Sequence, residues 1–227
     1  FDCIEFDDFY ATIPPLYDLA FLIMDLWARG LQEHANRALN TWVMEQPQTH
    51  WHATLADLAA LPAYLVWRGE IRAKTEGRKP GAADAARRYM ALAAAFAKPS
   101  PPALVAVGGL SGTGKSTVAR ALAPSLGRAP GAIHLRTDEI RKRQAGVGLD
   151  ERLSPTAYTA ERSAQVYATM ADLADAALSA GHAVIADAVF AREEERGAIA
   201  QVAAERAIPF VGLWLEAPAE TLTARLD

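Results

Sequence analysis

The sequence predicts an α/β fold, a parallel sheet in three layers that is incomplete at its C-terminal end and preceded by a mainly helical remnant. Three observations predict it. Between residues 103 and 215, short apolar runs alternate with helical patterns, a rhythm that demands a parallel sheet covered on both faces. The first run leads into Gly109-Leu110-Ser111-Gly112-Thr113-Gly114-Lys115-Ser116, which fits the pattern G-x-x-x-x-G-K-[ST]. Residues 1–98 differ in texture, with helical spacing nearly throughout. Lys98-Pro99-Ser100-Pro101-Pro102 then forms a stiff linker at 99–102, because its prolines cannot continue a helix. The second unit is expected at 103–227.

In chain order, Asp2-Cys3-Ile4-Glu5-Phe6 reads as an edge strand followed by an acidic turn. Residues 16–29 form an apolar helix. Ala35, Leu39, Trp42 and Val43 recur along one face of a second. Leu55, Leu58, Leu61, Leu65 and Ile71 suggest another, kinked or interrupted by Pro62. Asp84 is placed to cap a helix that buries Tyr89, Leu92 and Phe96. Four of the five tryptophans precede residue 70, so this half is expected to hold its own core.

Past the linker, 103–107 is a buried strand, and Val118, Leu122 and Leu126 mark the face of the helix after the glycine loop. Residues 132–136 give a second strand ending at Thr137-Asp138. A long helix runs from about Pro155 to Ala180, with Val166, Met170, Leu173 and Ala177 on one face and Gly181 at its C′ position. Residues 183–187 are a third strand, 193–206 a charged helix that opens on solvated Glu193-Glu194-Glu195, and 210–215 a fourth strand. Sheets of this kind bind ligands at the carboxyl ends of their strands, so the loop, Asp138 and Asp187 are expected along one rim.

Composition narrows the function. A formal net charge of -4 does not suit non-specific nucleic-acid binding. Cys3 is the single cysteine, so no internal disulfide forms and a reducing cytoplasm is expected. Asp2, Glu5, Asp7 and Asp8 stand where a signal peptide would be basic. The apolar stretch 19–27 is too short to span a bilayer and carries Asp25. The five histidines are scattered and point to no metal cluster of protein ligands. The chain opens on Phe1 and stops at Asp227 inside a helical pattern, which reads as a fragment.

The loop carries the chemistry. Glycines let the backbone turn with positive φ and approach an anion, and successive N–H groups then form a nest for phosphate oxygens. The following helix adds the positive end of its dipole. Gly109, Leu110, Ser111, Gly112, Thr113, Gly114, Lys115, Ser116 and Thr117 are the expected nucleotide-binding residues. Lys115 reaches toward the β- and γ-phosphates, and the Ser116 hydroxyl toward Mg²⁺. The bland alternative is a chance glycine turn, which a full pattern between strand and helix disfavours.

Asp187 closes an apolar strand, as an acid that supports Mg²⁺ would. At Asp138 the bland reading is a helix start capped by Thr137 or Asp138 and the sharp one is a general base for an attacking hydroxyl, and both can hold at once. In the same stretch, Arg141 is a candidate anion contact for the acceptor, set against the commoner solvated face. Arg225, on the last helix, could steady charge on a transferring phosphoryl group. Arg192 and Arg196 rest on weaker grounds.

The second half resembles the small P-loop kinases grouped with gluconate kinase, chloramphenicol phosphotransferase, zeta toxin and polynucleotide kinase. The resemblance rests on Gly109 to Ser116, Leu135-Arg136-Thr137-Asp138-Glu139-Ile140-Arg141, Val184-Ile185-Ala186-Asp187-Ala188-Val189-Phe190 and Gly212-Leu213-Trp214-Leu215-Glu216-Ala217-Pro218. It is similar to the AAA-type kinase half of bacterial bifunctional aminoglycoside phosphotransferase/ATP-binding proteins. That resemblance implies a P-loop NTPase fold, and a substrate base at Asp138. The first half resembles the end of the aminoglycoside phosphotransferase-like domain of the same proteins, on Phe1 to Asp7, Tyr17 to Leu26 and Arg68 to Lys74. Its metal-binding acid falls on Glu5, a departure from the family's Asp, with Asp2 as the other position.

The leading expectation is a kinase that transfers the γ-phosphate of ATP, with Mg²⁺, to a hydroxyl of a small molecule. The alternatives are a nucleotide-gated interaction module, in which ATP changes the fit between the halves, and a polynucleotide 5′-hydroxyl kinase. The expected partners are a nucleotide and a small acceptor, with no nucleic acid or membrane and with contact between the two domains.

Overall fold

The computed structural model describes residues 13–226. The expected edge strand at 2–6, with Asp2 and Glu5, lies outside them. Helices α1 (Pro15–Ala28), α2 (Gln32–Glu45), α3 (Trp51–Asp57), α4 (Leu61–Gly77) and α5 (Ala83–Phe96) build the first half. Pro15 and Pro62 stand in first helical turns, where a missing N–H is harmless. Pro62 therefore interrupts the chain: α3 ends at Asp57 and a 3₁₀ turn, Leu58–Ala60, leads into α4. Asp84 is not a cap. Ala82 holds that position, and Asp84 lies in the first turn of α5, paired with Arg87. There its charge still complements the helix dipole. Helix α5 buries Ala93 and Phe96. Gly69 of α4 lets the two helices approach, since a Cβ there would come within 3.1 Å of the Ala93 methyl.

The second half contains β1 (Leu104–Gly109), α6 (Lys115–Leu122), β2 (Ile133–Arg136), α7 (Thr137–Gln144), α8 (Ala160–Ser179), β3 (Val184–Asp187), α9 (Glu193–Glu205), β4 (Phe210–Leu215) and α10 (Ala219–Leu226). The strands form one parallel sheet in the order β2-β3-β1-β4. Strands β1 and β3 are central and buried along their whole length, as uninterrupted apolar runs in a covered parallel sheet should be. The register pairs Val107 and Arg136 with Asp187 from either side, so the strand ends are level.

Local details depart from expectation for steric reasons. Helix α6 packs so closely on the sheet that Ala119 and then Ala123 make the buried contacts, with Val105, Val107 and Ile185. Val118 is half-buried and Leu122 exposed. Helix α7 starts directly at the end of β2, so Thr137 and Asp138 fall inside its first turn and neither caps it. The long helix starts at Ala160 after a 3₁₀ turn, Pro155–Tyr158, because extended Thr159 caps it by accepting from the Arg162 N–H. Gly181 follows the Ala180 cap with φ +81°, as a C′ glycine does.

Among the described residues, the tryptophan-rich half has no core of its own. Leu39, Leu55, Leu58 and Leu65 belong to one buried cluster with Ile133, Leu135, Leu173 and Ala177 of the second half. Trp51 is buried, but Trp67 is exposed. Polar contacts fix the seam. Strand β2 is an edge, and α2 covers it. The Asn40 carboxamide accepts from the His134 N–H at 2.7 Å and donates to the Ala132 carbonyl at 3.2 Å. Asn36 donates to the same carbonyl at 3.0 Å. Two side chains on one helix thus stand in for a neighbouring strand. At the far end, buried His182 donates from Nε2 to the Leu58 carbonyl at 3.1 Å.

Candidate functional site

The loop between β1 and α6 is shaped by its glycines. Gly109, Gly112 and Gly114 take φ of +138°, +85° and +90°. At Gly109 no side chain fits, because a Cβ would lie 2.4 Å from the Leu215 carbonyl oxygen. The Thr113 hydroxyl donates to the Leu110 carbonyl at 2.8 Å and braces the turn. Helix α6 opens at Lys115; the Thr117 and Val118 N–H groups bond the Gly114 carbonyl, and those of Lys115 and Ser116 precede any intrahelical acceptor. This is an anion-binding geometry.

Lys115 lies half-buried, and its ammonium donates to the Leu110 carbonyl at 2.8 Å, folded back over its own loop. Burial lowers its pKa below the usual lysine value, and the Asp187 carboxylate works against that. Ser116 donates to Asp187 Oδ2 at 2.6 Å. The two oxygens expected to hold a metal are thus brought together from β3 and α6. Asp187 is buried at 4 % exposure. Burial raises its pKa, but hydrogen bonds from His134 and Ser116 and the His134 and Arg136 charges outweigh that, and the net direction is down.

The remaining candidates lie apart from this contact. Asp138 is exposed in the first turn of α7, with Lys142 at 3.5 Å, and makes no hydrogen bond to Lys115, Ser116 or Asp187. Arg141 is engaged elsewhere. It donates to the Ala157 carbonyl at 2.7 Å and to Ser163 Oγ at 3.3 Å, with its guanidinium 4.9 Å from the Tyr158 ring centroid. Arg225 reaches over the loop and donates to the Gly112 carbonyl at 2.8 Å, while Leu222 of the same helix packs on Gly112. Arg196 ties down the segment after β3 by donating to the Phe190 and Ala191 carbonyls, and Arg192 lies exposed at the start of α9. Phe190 itself has φ +51°, a rare conformation for a bulky residue, and its N–H donates to the Tyr167 hydroxyl at 3.0 Å.

Residues 104–227 match the family model described as an AAA domain. The chain belongs to that family. Uncharacterized proteins of Mycobacterium tuberculosis and Mycobacterium bovis are each 30% identical to it over 235 residues, which cover 99% of this chain and 45% of the relative. The chain therefore spans about half the length of the curated relatives it matches. The AAA domain makes this a P-loop, kinase-like nucleotide-binding module.

Within the AAA domain, two residues at the site went unread in the sequence. His134 Nε2 lies 3.2 Å and Arg136 Nε 3.7 Å from Asp187 Oδ2. They share a strand face because they are two apart, and that much was readable. That this face meets Asp187 follows only from β2 lying beside β3. No group of three or more His, Cys, Asp or Glu side chains suited to a metal occurs among the described residues. One carboxylate and one hydroxyl make an oxygen-only set, which suits Mg²⁺ that keeps most of its shell from water and phosphate. No described helix is long and apolar enough to cross a membrane.

Proposed function

We propose that this chain carries an ATP-dependent phosphotransferase acting on a hydroxyl of a small molecule. The 2.6 Å contact between Ser116 and Asp187 at the mouth of the glycine loop carries the reading, since it joins the two oxygens that would hold Mg²⁺ beside the phosphate nest. Mg²⁺ held there would supply neutralisation of the charge that develops in phosphoryl transfer. Ser116 and Asp187 would hold it, and Lys115 would exchange its Leu110 carbonyl for phosphate oxygens. Arg225, already over the loop, would contact the transferring group.

In the transfer, the acceptor oxygen forms a bond to the γ-phosphorus while the bond to the β–γ bridging oxygen breaks. ADP leaves with that electron pair, and the hydroxyl proton passes to the Asp138 carboxylate. Asp138 then needs the acceptor between itself and the loop, and its exposed position at the end of β2 leaves space for one. We read residues 1–98 as the end of an aminoglycoside phosphotransferase-like domain, on the sequence resemblance and on the helices between residues 15 and 96.

A screen with γ-labelled ATP and a set of hydroxylated metabolites tests this reading. Label should move to one acceptor class, and Asp138→Asn should keep nucleotide binding while lowering transfer about a hundredfold or more. Unchanged transfer by that variant would leave Asp138 a surface residue. A second reading, a nucleotide-gated interaction module, draws on the chain of bonds from Ser116 through Asp187 and His134 to Asn40 on α2. It predicts water as the sole acceptor and a partner captured only with ATP.

A further inference from the structure

A polar cleft of about 450 Å³ opens between the two halves. Helix α2 forms one wall, and α6, β2 and α7 of the AAA domain form the other. The volume suits a small molecule. The cleft adjoins the proposed phosphate site. Thr117 lines it and directly follows Ser116, and His134 and Arg136 both line it and face Asp187. The bonds of Asn36 and Asn40 to β2 hold the two walls in register.

The lining carries three arginines and three glutamates, so its formal charge is balanced, but these groups are not paired with one another. Its carboxylates Glu45 and Glu139 are both paired with Arg143, at 2.6 and 3.5 Å. Arg37 and Arg120 line the cleft and have no carboxylate within ion-pair distance among the described residues. Arg136 comes only within 3.7 Å of Asp187, and its buried Nε has no hydrogen-bond partner there. Glu33 is the one acid of the lining outside these pairs, so what the cleft offers an anion is the unpaired guanidinium groups of Arg37 and Arg120, not a net positive charge. Guanidinium groups held apart on two facing helices are suited to a carboxylate or phosphate group.

We propose that this cleft binds a small molecule carrying both hydroxyls and an anionic group, and that this molecule is the acceptor. The proposal rests on the phosphotransferase reading. The anion would sit between Arg37 and Arg120, with a hydroxyl extending beyond the lining at the Asp187 end toward Asp138, which does not itself line the cleft. Helix α2 would then set acceptor specificity, and the helical half would be a wall of the active site. A nucleic acid is disfavoured by the small volume and by the net charge of -4.

Titration calorimetry on the full chain tests this directly. The probe is glycerol 3-phosphate, with glycerol as the neutral counterpart. Both are titrated with the loop saturated by a non-hydrolysable ATP analogue and Mg²⁺, so that the probe cannot bind there. Glycerol 3-phosphate should bind saturably, glycerol should not, and Arg37→Ala with Arg120→Ala should weaken binding about tenfold or more. Both arginines are exposed, and circular dichroism checks that the variant folds. The site is overturned if the probe does not bind, if the variant binds it equally, if the ATP analogue displaces it, or if a short oligonucleotide binds the cleft in its place. Probe binding of the expected kind without label transfer to any acceptor would sink the phosphotransferase reading alone. Transfer with an acceptor KM unchanged in the variant would sink the cleft alone.

Discussion

His182 shows how a single residue ties function-bearing architecture to pH. It is fully buried, Nε2 bonds the Leu58 carbonyl, and Nδ1 has no partner among the described residues. Burial first, opposed by the Leu58 bond and aided by the Arg128 charge, pushes its pKa down to about 4 from 6.5. Between those values the unfolded chain binds more protons than the folded one. The stabilisation is therefore complete above pH 6.5 and drains as pH falls through about 4, by about 3 kcal/mol at most. Urea midpoints should fall across that window, and His182→Gln should flatten the decline. Equal pH slopes in the two proteins would mean that the imidazole titrates freely. Asp187 is the contrasting case: its neighbours His134, Ser116 and Arg136 keep a buried carboxylate charged and ready for a cation.

At the scale of elements, the contact between α2 and the edge strand β2 matters most. Asn40→Ala leaves the part-buried His134 N–H without its acceptor, which costs about 1–3 kcal/mol. Hydrogen exchange at that amide should accelerate, with a matching loss in urea stability. An unchanged exchange rate would show that α2 does not brace the strand. Little of this contact was legible in the sequence. Asparagines at positions 36 and 40 look like a polar helix face, and only the fold reveals that they meet backbone. The glycine loop was legible because its pattern encodes backbone geometry directly, and Asp187 because it ends a wholly apolar run. His134 and Arg136 were hidden because strand patterns do not state strand order. The predicted cap at Asp84 failed for a related reason: a capping residue is chosen by the path of the incoming chain, which puts Ala82 there.

For the whole molecule, the linker at 99–102 marks a change of texture but not a break in the core. Side chains from before and after it share one cluster, and His182, Asn36 and Asn40 cross the seam. Ligand binding at the glycine loop would therefore act on a body that includes α2, which is why both proposals, an acceptor cleft and a nucleotide-gated partner, draw on the helical half. All of this depends on nucleotide entering the loop. Titration calorimetry of ATP with Mg²⁺ into the wild-type chain and Lys115→Ala tests that step most directly. The wild-type chain should bind saturably and only weakly once Mg²⁺ is chelated, and the variant should bind about tenfold or more weakly. Equal affinity in the two proteins, or no saturable binding by either, would contradict the account.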